Sequence, residues 1–205
     1  MERTADRRLS REGPIEPART ALLVIDAQNW VLDPDRHAPR PAFQDAAAAA
    51  VANLRRLLAA ARAAKLEVVF TVVENFTADG RDRGLDYKLS DFFIAKGSRD
   101  AQVVAALAPG PDEMVIPKTS SSLFNSTNLD YLMRNIGIDT IIATGFLTDQ
   151  CVDHTIRDGA DRGYQMICVS DACATETEAR HQAALAAFKG YCRTETTDDL
   201  IALLL

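Results

Sequence analysis

Short aliphatic and β-branched runs recur along this chain, each parted from the next by a stretch of helical character or by a long loop. They lie at about residues 20–26, 65–73, 113–117, 138–144, 164–170 and 191–194. Runs this short, rich in Val, Ile and Leu, read as strands buried on both faces. The stretches 42–64, 98–108, 127–136, 151–162 and 176–189 read as helices. The first holds Ala46–Ala50, of high helix propensity, with Leu54, Leu57 and Leu58 on one face. Gly137, Gly163 and Gly190 stand where a helix favours a closing glycine. Thr175-Glu176-Thr177-Glu178 has the spacing of a capping box. Strands alternating with helices predict an α/β fold, a Rossmann-like three-layer α/β/α sandwich around a parallel sheet. The carboxyl ends of parallel strands share one rim, and open α/β sheets bind ligands at that rim.

The 205 residues suit one domain, spanning 19–205 after a polar, Pro-punctuated arm at 1–18. A hydrophobic share of 47% and a charged share of 25% describe an ordinary soluble chain. A net charge of −6 and the lack of a basic stripe with interleaved aromatics count against nucleic acid as a partner. No apolar run nears the roughly 20 residues of a membrane span. Arg7-Arg8 suggests a twin-arginine signal, but no apolar segment follows it, so that reading is rejected. Cys151, Cys168, Cys173 and Cys192 form no C-x-x-C pair and read as free thiols of a cytoplasmic protein. A zinc set from Cys168, Cys173, His181 and Cys192 matches no usual spacing. Two long connections remain, 27–41 with three prolines and 74–97; connections of that length are mostly functional or disordered.

Three strand ends carry chemically capable side chains. Asp26 follows Ala21–Ile25, Lys118 follows Met114–Pro117, and Cys151 opens a helix soon after Thr140–Thr144. A thiol at a helix start meets the positive end of the dipole, which favours thiolate. Asp26 is placed to take the thiol proton and hand it to a departing amine, with Lys118 holding Asp26. Backbone N–H groups of Thr148 and Cys151 can cradle an oxyanion. Taken singly, each residue has a structural alternative: a helix-opening cysteine, a capping aspartate, a solvated strand-end lysine. Their joint placement at three strand ends suggests acyl transfer from an amide to water. Asp149 is a second possible base, and His154, three residues past Cys151, admits a Cys-His dyad.

These residues resemble the isochorismatase-like cysteine hydrolases. The resemblance runs over about 20–195, through Ala21–Asn29, Val115–Lys118, Ser122–Thr127, Gly145–Val152, Arg162–Tyr164 and Asp171–Ala174 with His181 beyond. Ala27 stands where the family usually shows Met. The resemblance implies a six-stranded parallel sheet in the order 3-2-1-4-5-6, the triad Asp26, Lys118 and Cys151, and a cis peptide just before Thr148. It also implies a homodimer or homotetramer. A thiol nucleophile favours carbon–nitrogen hydrolysis over the vinyl-ether cleavage of isochorismatase proper. The Asp-x-His metal motif of nicotinamidases is missing after strand one, so no metal and no cofactor are expected. Ala95–Ser98 and Asn75 are similar to ureidoacrylate amidohydrolases, which suggests a small amide, ureide or N-carbamoyl substrate. Gln28, Asn75, Phe124, Phe146 and Leu147 are the expected substrate contacts, and Arg81, Arg83 and Lys88 are candidates for a substrate carboxylate. Competing readings are a vinyl-ether enzyme indifferent to Cys151 and a redox sensor with Cys168 or Cys173 as resolving thiol. A dinucleotide-binding domain fails for want of a glycine-rich loop after strand one.

Overall fold

The computed structural model describes residues 10–35 and 40–204. Six strands form one sheet: β1 (Thr20–Ile25), β2 (Glu67–Val73), β3 (Met114–Lys118), β4 (Thr140–Phe146), β5 (Gln165–Ala174) and β6 (Arg193–Glu195). All neighbours pair in parallel, in the order β3-β2-β1-β4-β5-β6. The helices are α1 (Asn29–Leu32), α2 (Pro41–Ala63), α3 (Leu85–Leu89), α4 (Leu123–Ser126), α5 (Leu129–Asn135), α6 (Asp153–Asp161), α7 (Glu178–Phe188) and α8 (Thr197–Leu204).

Side chains alternate across a strand, so central β1 feeds two cores. Ala21, Leu23 and Ile25 pack with Leu129 and Met133 of α5, Ile156 of α6 and Phe188 of α7. Leu22 and Val24 pack on the other face with Leu54, Leu57 and Leu58 of α2 and Leu200 of α8. Burial on both faces explains why these strands read as continuous apolar runs. The predicted three-layer sandwich and strand order are what the chain adopts.

One expected helix does not form. Residues 98–108 form two single 3-10 turns, Arg99–Ala101 and Ala105–Leu107, instead of a helix. Between them Val103 bridges Gln28, and Val104 N–H donates to Ala27 O. A β-branched pair holding an extended partner outweighs helix propensity there. The helix expected at 127–136 forms as α5, and the short α4, capped by the Ser122 hydroxyl, precedes it.

The register of the central strands sets the rim. Ile25 pairs with Thr71 on one side and Gly145 on the other, and Val73 pairs with Lys118. Gly145 has φ +109, and a Cβ there would stand 2.1 Å from Ile25 O. Only glycine allows β4 to pass β1 this closely. Just before Gly145, β5 runs from Cys168 to Cys173 while β4 advances only from Ala143 to Gly145. The displaced Asp171 turns outward, and its Oδ1 accepts from Thr197 N–H at 2.7 Å at the start of α8.

Arg11 and Gly13 of the N-terminal arm contact the body of the chain. Arg11 donates to Gly190 O, and Arg193 donates to Gly13 O at 3.3 Å. Among the described residues no helix is long and apolar enough to cross a membrane.

Candidate active site

Asp26 leaves β1 with φ +51, a left-handed conformation unusual for a residue with a side chain. Its N–H donates to Thr71 O at 3.0 Å, and the Thr71 hydroxyl donates to Asp26 Oδ1 at 3.0 Å. These bonds hold the turn and aim the carboxylate along the rim. Lys118 ends β3 and is fully buried. Its Nζ stands 2.8 Å from Asp26 Oδ2, donates to Ser120 O at 2.9 Å, and donates to Cys151 Sγ at 3.3 Å. One ammonium thus touches carboxylate and thiol together. Asp26 Oδ2 accepts no aligned hydrogen bond, so this oxygen keeps capacity for a proton.

Cys151 stands in a turn of π-helix, Thr148–Val152, that leads into α6. Val152 N–H reaches back to Leu147 O at 3.2 Å, the wide spacing of that turn. The cis peptide joins Phe146 to Leu147, one bond earlier than the position expected from the sequence. Thr148 is fully buried, its hydroxyl 2.9 Å from His181 Nδ1 of α7. Asp149 is gripped from outside the turn by Thr175 and Arg180. It is therefore a structural anchor facing α7, not a second base. His154 turns its Nδ1 to Gln150 O at 2.7 Å, so a Cys-His dyad finds no support.

Burial pushes the Cys151 thiol up to about 12; Lys118 opposes this and Asp26 reinforces it. The expected preference for thiolate is thereby overturned for the resting protein, since removal of water outweighs the helix start and the ammonium. Lys118 has its pKa raised: burial acts to lower it, but Asp26 and Cys151 more than compensate. The resting site therefore holds a neutral thiol beside the Lys118 ammonium.

A cavity of about 460 Å³ opens before Cys151. Asp26, Phe146, Leu147, Gln150 and Cys151 form its floor, and Trp30, Arg40, Asp86, Tyr87, Phe92 and Glu176 its walls and mouth. Trp30 stacks on Phe92 with centroids 5.5 Å apart, and Tyr87 meets Phe92 edge-on at 4.8 Å. Tyr87 comes from α3 within the long 74–97 connection and borders the cavity. Burial pushes that phenol up to about 12, so it is a donor at neutral pH.

The expected substrate contacts divide. Phe146 and Leu147 line the cavity. Gln28 does not: its amide donates to Val73 O and Asp100 O and accepts from Val73 N–H, stitching β2 to the following loops. Asn75 Oδ1 accepts from Ile94 N–H at 2.9 Å, closing the base of the insertion. Phe124 packs on Tyr164 at 5.6 Å within the core. These three shape the structure around the cavity without lining it. Arg81 pairs with Asp79, Arg83 donates to Gly80 O and Phe92 O, and Lys88 is not among the lining residues. Among the described residues, the cation that lines the cavity is Arg40, and nothing near it in sequence forms a motif that marks it.

Residues 20–199 match the family model described as the isochorismatase domain. The ureidoacrylate amidohydrolase RutB of Pantoea ananatis is 34% identical over 173 residues, which cover 76% of this chain and 69% of that protein. A cysteine hydrolase from Pseudomonas syringae pv. phaseolicola superposes with a TM-score of 0.84 at 31% identity, over 93% of this chain and 94% of the other. N-carbamoylsarcosine amidase from Thermoplasma acidophilum superposes with a TM-score of 0.73 at 26% identity, over 88% and 97%.

Proposed function

Since the chain belongs to the isochorismatase family and is a hydrolase, we propose that it cleaves a carbon–nitrogen bond in a small amide, ureide or N-carbamoyl compound, with Cys151 as nucleophile. The observation that carries this reading is the contact of one buried ammonium with both Asp26 and Cys151. The ureidoacrylate amidohydrolase and N-carbamoylsarcosine amidase relatives support the substrate class.

The reaction begins when substrate enters and Asp26 takes the Cys151 proton. Lys118 stays charged and offsets the thiolate as it forms. Sulfur attacks the carbonyl carbon, and the backbone N–H groups of Thr148 and Cys151 hold the developing oxyanion. The carbon–nitrogen bond breaks as Asp26 returns its proton to the leaving nitrogen. The acyl group remains on Cys151 as a thioester, or as a thiocarbamate if the substrate is a ureide. Water, deprotonated by Asp26, then displaces sulfur, which recovers its proton. A carbamoyl group leaves as carbamic acid, which decomposes to ammonia and carbon dioxide. In this reading 19–205 acts as one domain.

The free thiols of Cys151, Cys168, Cys173 and Cys192 support a reducing, cytoplasmic setting. Phe76, Leu85 and Leu89 of the insertion expose apolar surface, which supports a homodimer or homotetramer.

The test is ammonia release from a panel of ureido acids, N-carbamoyl amino acids, nicotinamide and maleamate, with wild type beside Cys151→Ala. Turnover of at least one compound by wild type and none by the variant is expected. Turnover that survives in the variant removes Cys151 as nucleophile and favours the vinyl-ether type of chemistry.

A further inference from the structure

The proposed hydrolysis uses the floor of the cavity and leaves an ion pair at its mouth without a task. Arg40 Nη1 stands 2.6 Å from Glu176 Oε1, and both side chains line the cavity. Arg40 immediately precedes α2, and Glu176 lies in the connection from β5 to α7, so the pair joins two loops over the opening. The guanidinium carbon sits 4.6 Å over the Phe43 ring, which fixes the plane of the group. Glu176 accepts from one guanidinium nitrogen, and no other described residue accepts from that group.

A guanidinium has five N–H donors and holds a carboxylate through two of them, so a second edge is available to an incoming anion. Arg40 is the one cationic side chain among the described residues lining this cavity. The charged groups that face it are Glu176 at its side, Asp86 on the α3 rim, and Asp26 on the floor beside Lys118. Two rim carboxylates repel a loosely held anion, and a planar acid seated in the guanidinium fork overcomes them. The wall of Trp30, Phe92 and Tyr87 leaves flat apolar surface for the part of the substrate between its two ends.

We propose that Arg40 determines the specificity of the site, selecting substrates with a carboxylate at the end remote from the scissile bond, while Glu176 competes for the same guanidinium. The placing of the scissile bond at Cys151 rests on the hydrolase reading above.

Two probes isolate the charge: β-ureidopropionate, and propylurea, in which a methyl group replaces the carboxylate. Calorimetric binding is measured on Cys151→Ala protein, alone and combined with Arg40→Gln, Arg40→Lys or Glu176→Gln, each checked by thermal melting. The acid binds about tenfold tighter than propylurea, as a charge-assisted contact requires. Arg40→Gln removes the preference, Arg40→Lys keeps part of it, and Glu176→Gln increases it. Equal affinity for the two probes, binding of neither, or a preference that survives Arg40→Gln overturns the proposal. Ammonia release from the same probes by wild type reports separately on the hydrolase reading, which can fail while the binding preference stands.

Discussion

The floor of the cavity and its mouth are built on opposite terms. Asp26, Lys118 and Cys151 are at most 8% exposed, and neighbouring strands of one sheet fix their positions. Arg40 and Glu176 come from connections between elements, Tyr87 comes from the short α3, and the Arg40–Glu176 pair is 29% exposed on each side. On the floor, burial and close charges move the Cys151 thiol and the Lys118 ammonium far from their ordinary ranges. Charges at the mouth are screened, so they discriminate among ligands by a few kcal/mol at most. The lesson is a division of labour: the sheet rim fixes what chemistry is possible, and the loops decide what is admitted to it.

The comparison breaks most visibly if the floor proves tolerant. Lys118→Met leaves Asp26 as a buried, uncompensated charge, and a cost of about 3–5 kcal/mol is expected. Chemical denaturation measures it, and a loss below about 1 kcal/mol, the scale of an exposed pair, would make floor and mouth alike.

The dryness of the floor is tested by alkylation of Cys151 in the free enzyme. With the thiol pushed up to about 12, the proton is retained through neutrality. The rate constant should therefore be small at neutral pH and climb steadily through the alkaline range. A plateau reached near neutrality would show a resting thiolate instead. The same shift has a stability sign. The unfolded chain releases this proton near 9 and the folded one near 12, so stability falls as pH rises through that window. Cys151→Ala should flatten that fall.

The smallest effect belongs to the wall. Tyr87→Phe keeps the ring that packs on Phe92 and removes only the hydroxyl, a donor to a ligand in the cavity. A loss of about three- to tenfold in kcat/KM is expected, the worth of one hydrogen bond. A far larger loss would move Tyr87 from the wall into the reacting centre.

What the sequence discloses follows the same division. Strand ends are legible because an apolar run must stop where the chain leaves the sheet, so Asp26, Lys118 and Cys151 could be placed on one rim from their neighbours alone. Their protonation could not, because the helix start at Cys151 is visible in sequence whereas the desolvation that outweighs it depends on surrounding elements. The helix expected at 98–108 was misleading for a related reason: Val103 and Val104 pair with the loop after β1, a partner more than 70 residues away. Gln28 and Asn75 carry amides suited to a ligand, yet their carbonyl oxygens accept from backbone N–H groups. Arg40 shows the converse. Its position over the cavity depends on α2 beginning at Pro41 and on Glu176 meeting it across 136 residues, a relation no local pattern encodes.

The central claim is covalent chemistry at Cys151. Wild-type enzyme is mixed with the best substrate from the ammonia panel, quenched in acid within one turnover, and peptide-mapped by mass spectrometry. The account predicts the acyl group of the substrate on the peptide bearing Cys151, appearing and decaying at rates compatible with turnover. Turnover with no adduct on that peptide at any quench time, under conditions where hydrolysis of the intermediate limits the rate, would contradict it.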